Sequence, residues 1–375
     1  MTDVSVPLQP QTGKSRSLLQ LAMLRLKRNI AAMVSLILFA AIALFCILGP
    51  LVTPHRYDEV FQSYVQVPPS LSPYPDKATL NDVMSHIADQ ARVKLDAFET
   101  SGTTFTATFS SDKKIDPRVT RYIDRINEFN HAGVDETRDD GRTLVVKGNI
   151  NGQYFLLGTD ANGRDMLSRI MIGGQVSLLV GLLASLVSLF IGVIYGAISG
   201  FAGGRTDNVM MRFVEILYSL PFTFLVILLV VFFGRNFVLI FVAIGAIEWL
   251  DMARIVRGQT LSLKRREFVA AAHAMGLSDW AVIRQHIIPN TIGPVVIFLT
   301  VRVPRVILLE SFLSFLGLGV QEPLTSWGAL IAEGANTMQS SPWLLIYPAI
   351  FFVVTLFCLN FIGDGLRDAL DPKDR

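Results

Sequence analysis

The sequence predicts an all-α polytopic membrane protein: six transmembrane helices, with an α+β domain inserted between the first two. Three observations carry this. Of 375 residues 51% are hydrophobic and only 17% charged, with a mean hydropathy of +0.47, too apolar for an ordinary soluble chain of this length. Apolar runs of bilayer length recur along the chain. Between the first run and the second lie about a hundred mostly polar residues, far more than an ordinary loop.

The elements follow in order. Residues 1–15 are polar and rich in Pro and Gln, a composition expected to stay disordered. Residues 17–28 predict a basic amphipathic helix, with Leu18, Leu21 and Leu24 set among Arg25, Lys27 and Arg28, lying at the cytoplasmic interface. Spans are predicted at 30–52, 174–201, 213–233, 237–255, 292–316 and 343–362, each near or above the length that crosses about 30 Å of hydrocarbon. The first run has full bilayer length and no small-residue cleavage site, so it is expected to be a retained anchor. Cys46 and Cys358 both sit inside apolar runs, which predicts packed thiols rather than a disulfide.

Lysine and arginine set the orientation. The N-terminal arm carries Lys14, Arg16, Arg25, Lys27 and Arg28, and the loop 251–290 carries Arg254, Arg257, Lys264, Arg265, Arg266 and Arg284. The loop 317–342 has neither residue type and holds Glu322 and Glu333. Positive-inside then puts both termini and the 251–290 loop in the cytoplasm, and the long 53–169 segment outside.

In that external segment, 80–99 has helical periodicity and 101–109 alternates like a strand. Asp116-Pro117 gives an N-cap and an N1 proline. Val119, Tyr122, Ile123, Ile126 and Phe129 predict one helical face ending before Gly133. Asn151-Gly152 between 142–147 and 154–157 is a hairpin signal. Such a domain is either an ordered cap or a ligand binder, because fold alone names no site.

The cytoplasmic loop contains EFVAAAHAMGLSDWAVIRQHIIPN at 267–290. Phe268, Ala272 and Met275 are predicted to share one helical face; Trp280, Ile283 and Ile287 share another. Gly276 turns the chain between the two helices, and Pro289 is expected to end the second. An apolar stripe with basic flanks suits a helix on the lipid surface, a cap on the bundle, or a face offered to a partner.

Ionisable residues within spans are functional candidates. Arg302, Arg305 and Glu310 lie in the fifth span, where the arginines share a face and are expected to pair with Glu310, with a partner chain, or along a water-filled path. Gly192, Gly196 and Gly200 make a stripe that lets helices approach closely. Pro221 and Pro304 predict kinks. Asp160, Asn162 and Asp165 lack the full calcium-loop ladder, so a structural turn is the expectation there. No phosphate-cradling G-x-x-x-x-G-K-[ST] run occurs, no nucleophile–base arrangement stands out, and no metal site is expected. A net charge of +2 gives a nucleic-acid role no support.

The 267–290 segment resembles the EAA loop of ABC-importer permeases, with Ala270, Ala271, Ala272, Gly276, Ile287, Ile288 and Pro289 at the motif positions. Ala270 stands where that family usually has glutamate and Ile288 where it has leucine, while Glu267 matches an acidic residue usual in the peptide branch. LGTDANGRDML at 157–167 is similar to the LGTD-x-x-GRD signature of peptide and nickel permeases. The same branch is echoed by WLDMARIVRGQTLSLKRREF, ESFLSFLGLGVQEPLTSWGAL and FIGDGLRDALDPKDR. From about Leu157 onward the chain looks like a C-type permease of oligopeptide importers; the 64–151 region does not match.

The resemblance implies a type I ABC importer permease fold. Its parts would be a cytoplasmic arm (1–29), a first helix (30–52), a periplasmic insert (53–169), a permease core (170–366, coupling helices about 263–288) and a cytoplasmic tail (367–375). It implies an inner-membrane, multi-pass, non-catalytic subunit that binds no cofactor itself. The implied partners are a second permease subunit, two ABC ATPase subunits holding ATP and Mg, a periplasmic peptide-binding protein, the peptide cargo, and membrane lipid. Glu267, Ala270, Ala271, Ala272, Met275, Gly276, Ile287, Ile288 and Pro289 would meet the ATPase; Asp160, Gly163, Arg164 and Asp165 would fix the outer mouth. Dipeptides or nickel are the alternative cargo. The alternative of another class is a membrane-anchored periplasmic binding or assembly protein. A secondary transporter would show internal repeats with paired broken helices.

Overall fold

The structure, a computed structural model, describes residues 24–126, 128–234 and 237–370. Most of the predicted interfacial helix and the last five residues of the tail lie outside the described residues. The chain divides into two compact units, Met1–Glu59 with Ser168–Arg375, and Val60–Leu167. The first helix, α1 (Ile30–Leu48), starts at Asn29, whose side-chain oxygen accepts from the Ala32 N–H.

The unit Val60–Leu167 is α+β. Helix α2 (Lys77–Ala91) starts at Asp76, whose carboxylate accepts from the Thr79 N–H at 2.9 Å, an N-cap. It stops at Arg92, where the backbone turns left-handed at φ 57. The helix predicted over 80–99 is therefore cut short, and Lys94–Ser101 becomes strand β1. Gly102, at φ +61, turns β1 into β2 (Thr104–Ser110), so the single strand predicted over 101–109 is a turn followed by β2. Asp116 caps a 3₁₀ turn at Pro117–Val119 as its spacing predicts, accepting from the Arg118 N–H at 2.9 Å. Only a short α3 (Thr120–Ile123) follows. Phe129, predicted on that helix, opens β3 (Phe129–Arg138), and Gly133 lies inside the strand because it pairs with β4 (Thr143–Ile150). The hairpin predicted at Asn151-Gly152 does not form: the Asn151 N–H donates to the Glu128 carbonyl. The β3–β4 hairpin turns instead at Asp139, Asp140 and Gly141, all at positive φ.

All pairings are antiparallel, in the order β1-β2-β4-β3. Alternate residues, Phe105 and Phe109 on β2 and Leu144 and Val146 on β4, meet Met84 and Ile87 of α2 in one core, the period-2 rule at work. At the base, Tyr74 and Gln153 exchange both backbone hydrogen bonds at 2.8 and 2.9 Å.

The larger unit is helical. After α4 (Met166–Ala202) come α5 (Gly204–Ser219), α6 (Phe222–Phe233), α7 (Phe237–Leu263), α8 (Glu267–Ala274) and α9 (Asp279–Val282). A π turn over Ile283–Ile287 leads into α10 (Ile288–Phe315), followed by α11 (Trp327–Asn336) and α12 (Trp343–Leu370). Among the described residues, four helices are long and apolar enough to cross a membrane, five if α5 and α6 count as one broken span.

Those two meet at 81°, so the third predicted span is not one helix. Pro221 stands at the break, where it has no N–H to give the ladder. The glycine stripe of α4 faces α7: a Cβ on Gly192 would lie 2.9 Å from the Trp249 carbonyl oxygen, and one on Gly200 2.8 Å from that of Arg257. The structure also corrects the expectation for Pro289. Helical backbone runs unbroken through it, Asp279–Phe315 forming one 37-residue rod. Proline lacks a donor and its ring crowds the carbonyl four residues back; the wider π turn just before it relieves both demands.

Candidate functional site

The 267–290 segment builds one compact corner. Helix α8 ends in a Schellman motif: the Leu277 N–H donates to the Ala272 carbonyl at 3.2 Å and the Gly276 N–H to that of His273 at 2.9 Å. Gly276 supplies the left-handed residue this requires, at φ +84, with no atom within 4 Å of a hypothetical Cβ. Ser278 then caps α9, accepting from the Ala281 N–H.

The predicted apolar faces divide differently in three dimensions. Ala272 and Ile287 are fully buried and pack with Val269, Val282 and Ile283 against Ala197, Phe201, Met252 and Val256 of the neighbouring helices. Phe268, Ala271 and Met275 form the opposite stripe, at i, i+3 and i+7, and it is exposed. Ala272 thus leaves the predicted face, because α8 turns it inward with Val269. Met275 is 73% and Trp280 51% exposed. The exposed rings stay close to the corner, Phe268 lying 6.3 Å from His286, centroid to centroid. Glu267, Ala270 and Pro289 are exposed as well, and Ile288 is half-buried. The site residues therefore separate into a buried set that seats the corner and an exposed set that a partner could touch.

The Asp160–Asp165 loop is a closed turn. The Asp160 carboxylate accepts from the Asn162 N–H at 2.8 Å, the Arg164 N–H at 2.9 Å and the Arg164 Nε at 2.7 Å. These three contacts close the loop on itself as a turn. Gly163 takes φ +76, and its carbonyl accepts from the Phe61 N–H at 3.0 Å. Thr159 completes the clasp, its hydroxyl donating to the Tyr64 carbonyl and accepting from the Val67 N–H. Asp160, Arg164 and Asp165 are all buried.

Arg302, Arg305 and Glu310 do not come together. Eight residues separate Arg302 from Glu310, roughly 12 Å along the axis. Arg302, on α10, is buried against α7, pairing with Glu248 at 2.5 Å and with Asp251, and its guanidinium lies 4.7 Å from the Phe298 ring centre. Arg305 is 55% exposed, 3.9 Å from Asp251. Glu310 is fully buried among serine hydroxyls. The acidic partners on α7 were missed in the sequence reading, yet a signal exists: Glu248 and Asp251 are three residues apart, as are Arg302 and Arg305, so each pair presents matching charges on one helix face.

Two further pairs escaped the sequence reading. Asp207 takes Arg257 bidentately at 2.6 and 2.6 Å, with Ser199 donating at 2.6 Å; this ties α4, α5 and α7 together. Arg169, on α4, grips Glu333 of α11 at 2.7 and 3.2 Å. Both pairs lie far apart in sequence, and only the fold reveals them. Cys46 and Cys358 are buried free thiols, and no metal-holding group of His, Cys, Asp or Glu occurs among the described residues.

Several apolar helices long enough to cross a membrane, tied by internal ion pairs and carrying a corner with an exposed apolar stripe, make up the architecture of a polytopic helical membrane protein. Family comparison identifies which: residues 166–375 match the binding-protein-dependent transport system inner membrane component family, and this chain belongs to it. Residues 17–80 match the N-terminal transmembrane domain of oligopeptide transport permease C. The α+β layer beginning near Lys77 thus falls largely between the two matches.

Among relatives, the chain is 65% identical to the oligopeptide transport system permease protein OppC of Escherichia coli over 225 residues, 60% of this chain and 74% of that one. It is 64% identical to OppC of Haemophilus influenzae over 222 residues, 59% of this chain and 71% of that one. Against the dipeptide transport system permease protein DppC of Bacillus subtilis the figure is 47% over 219 residues, 58% of this chain and 68% of that one. An inward-facing structure of the MetNI methionine ABC transporter overlaps 55% of this chain and 98% of its own at 16% identity and TM-score 0.45.

Proposed function

We propose that this chain forms half of the pathway by which an ATP-driven importer moves oligopeptides across the bacterial inner membrane. The observation that supports the cargo is the 65% and 64% identity to two oligopeptide permeases, together with the match of residues 17–80 to the N-terminal domain of oligopeptide transport permease C. In this reading α1, α4, the broken α5–α6 pair, α7, α10 and α12 are the six spans. Both termini are cytoplasmic, and the α+β layer is periplasmic. A second permease completes the pathway, a periplasmic binding protein delivers the peptide, and two ATPase subunits hold ATP and Mg. One of them docks on the α8–α9 corner through Phe268, Met275 and Trp280. This chain contributes no catalytic group; ATP binding on the partners biases a two-state membrane element.

Uptake of labelled tri- to pentapeptides in a strain lacking only this chain tests the cargo. Loss of uptake, restored by the chain on a plasmid, is the expected result; unchanged uptake would refute the oligopeptide assignment.

The α+β layer is read as accessory. The Tyr74–Gln153 bridge brings the two ends of the insert side by side, so residues 76–151 can be replaced by a Gly-Gly link. Peptide uptake is expected to stay within about twofold, as long surface insertions are tolerated both ways. If uptake disappears while the chain still inserts, the layer belongs to the transport cycle.

A further inference from the structure

Glu310 sits in the apolar interior of the bundle with serine hydroxyls, rather than cations, as its partners. Ser314 donates to one carboxylate oxygen at 2.8 Å and Ser177 to the other at 3.2 Å. Each serine reaches onward to the start of α11. The Ser177 hydroxyl accepts from the Trp327 N–H at 3.2 Å. The Ser314 hydroxyl lies 3.2 Å from that of Ser326, which caps α11 by accepting from the Ala329 N–H. One carboxyl group thus holds both residues that open α11.

The seat is shaped for this helix. A Cβ on Gly328 would lie 2.7 Å from that of Ser311, and one on Gly174 2.7 Å from the Trp327 ring. The Trp327 indole N–H donates to the Ile170 carbonyl at 3.0 Å. Glu310 also rides on the rod that starts at the docking corner. Asp279–Phe315 is continuous, so Glu310 lies roughly 45 Å from Asp279 with no loop between. A push at the corner reaches the seat of α11 through helix alone.

We propose that Glu310 is a positioning residue for transport: it latches α11 across the outer end of the pathway, and movement of α10 releases it. The proposal rests on the permease reading above.

Thiol accessibility tests it. Leu330, on α11, is 1% exposed. The complete transporter, with Cys46 and Cys358 changed to alanine and Leu330→Cys as reporter, is treated from outside with a membrane-impermeant maleimide. Without ATP, Glu310→Leu is expected to speed labelling about tenfold or more, the effect of losing two or three buried hydrogen bonds, while Glu310→Gln, which keeps an acceptor, stays within about threefold. A second reporter, Ser168→Cys, buried at the start of α4, should be unaffected; equal acceleration there would mean general loosening and overturn the latch. Labelling of the Glu310→Leu protein within about twofold of its parent would overturn it too. Should Glu310→Leu fail to insert, Ser177→Ala decides the same question, with about fivefold faster labelling expected and unchanged labelling refuting the latch. Adding ATP and cargo-loaded binding protein to the Glu310 transporter should raise labelling. If ATP changes nothing, the ATP-coupled reading fails, while the ATP-free comparison still decides the latch.

Discussion

Changing Met275 and Trp280 together to aspartate is expected to abolish peptide uptake and to strip the ATPase subunits from the purified transporter, while the chain still inserts and stays monodisperse. The argument rests on where these side chains lie. Both are large, apolar and more than half exposed at a corner whose inward-facing residues Val269, Ala272, Val282, Ile283 and Ile287 are buried in the bundle. Exposed large apolar side chains clustered at one corner mark an interaction site, and the proposed topology turns this corner to the cytoplasm. Tryptophan is enriched among the few residues that dominate an interface, where truncation costs about 2 kcal/mol or more, at least ~30-fold in affinity. Aspartate adds an uncompensated charge that must be desolvated on docking. Neither residue supports the fold, so insertion should be spared.

Ala272→Trp must behave differently. Ala272 is fully buried against the neighbouring helices, and adding an indole there overpacks the seat of α8. Its expected signature is lost monodispersity together with lost uptake. Co-purification of the ATPases with the Met275→Asp, Trp280→Asp chain at normal yield would remove the docking assignment.

The contrast shows which parts of this chain are legible in sequence. The corner is legible because Gly276 is written as a helix stop, and the Schellman motif obeys it. Which way α8 turns is not, because Phe268, Ala272 and Met275 share a helical stripe equally well with either face inward. Only the neighbouring helices choose Val269 and Ala272 for burial. Pro289 misleads for a similar reason: a proline ends a helix by default, and the π turn that carries it through has no residue-level mark. The α+β layer fails at its boundaries. Residues 80–99 keep an apolar period past the point where Arg92 turns left-handed, and Phe129 keeps helical spacing while its strand partner lies more than a dozen residues ahead. The first, second, fifth and sixth predicted spans fall on helices long and apolar enough to cross a membrane, since length in an apolar run needs no tertiary information. Short α11 escapes detection because its burial comes from glycine contacts and a cap, not from a long apolar run.

Arg302→Leu is expected to be the most damaging single change in the helical unit. Arg302 neutralises Glu248, itself only 4% exposed, and Asp251. Removing the guanidinium leaves two carboxylates inside a bundle of apolar helices, and breaking a buried pair in this way costs about 3–5 kcal/mol. The measurement is fluorescence-detected size exclusion after graded heating, where the variant should lose its monodisperse peak well below the parent. Removing the whole cluster with Glu248→Leu, Asp251→Leu and Arg302→Leu should restore most of that stability, because a buried ionic cluster replaced by apolar residues of similar volume is often neutral or better. The triple variant also separates structure from transport. Arg305 is half exposed and loses its nearby carboxylate when Asp251 is changed. If the stable triple variant moves peptides normally, the three removed charges serve the fold alone. If it is stable yet inactive, the Asp251–Arg305 edge belongs to the pathway, since a half-exposed arginine within a span is costly against lipid and favoured against water. A triple variant no more stable than Arg302→Leu would show that the damage comes from lost packing around Phe298 rather than from stranded charge.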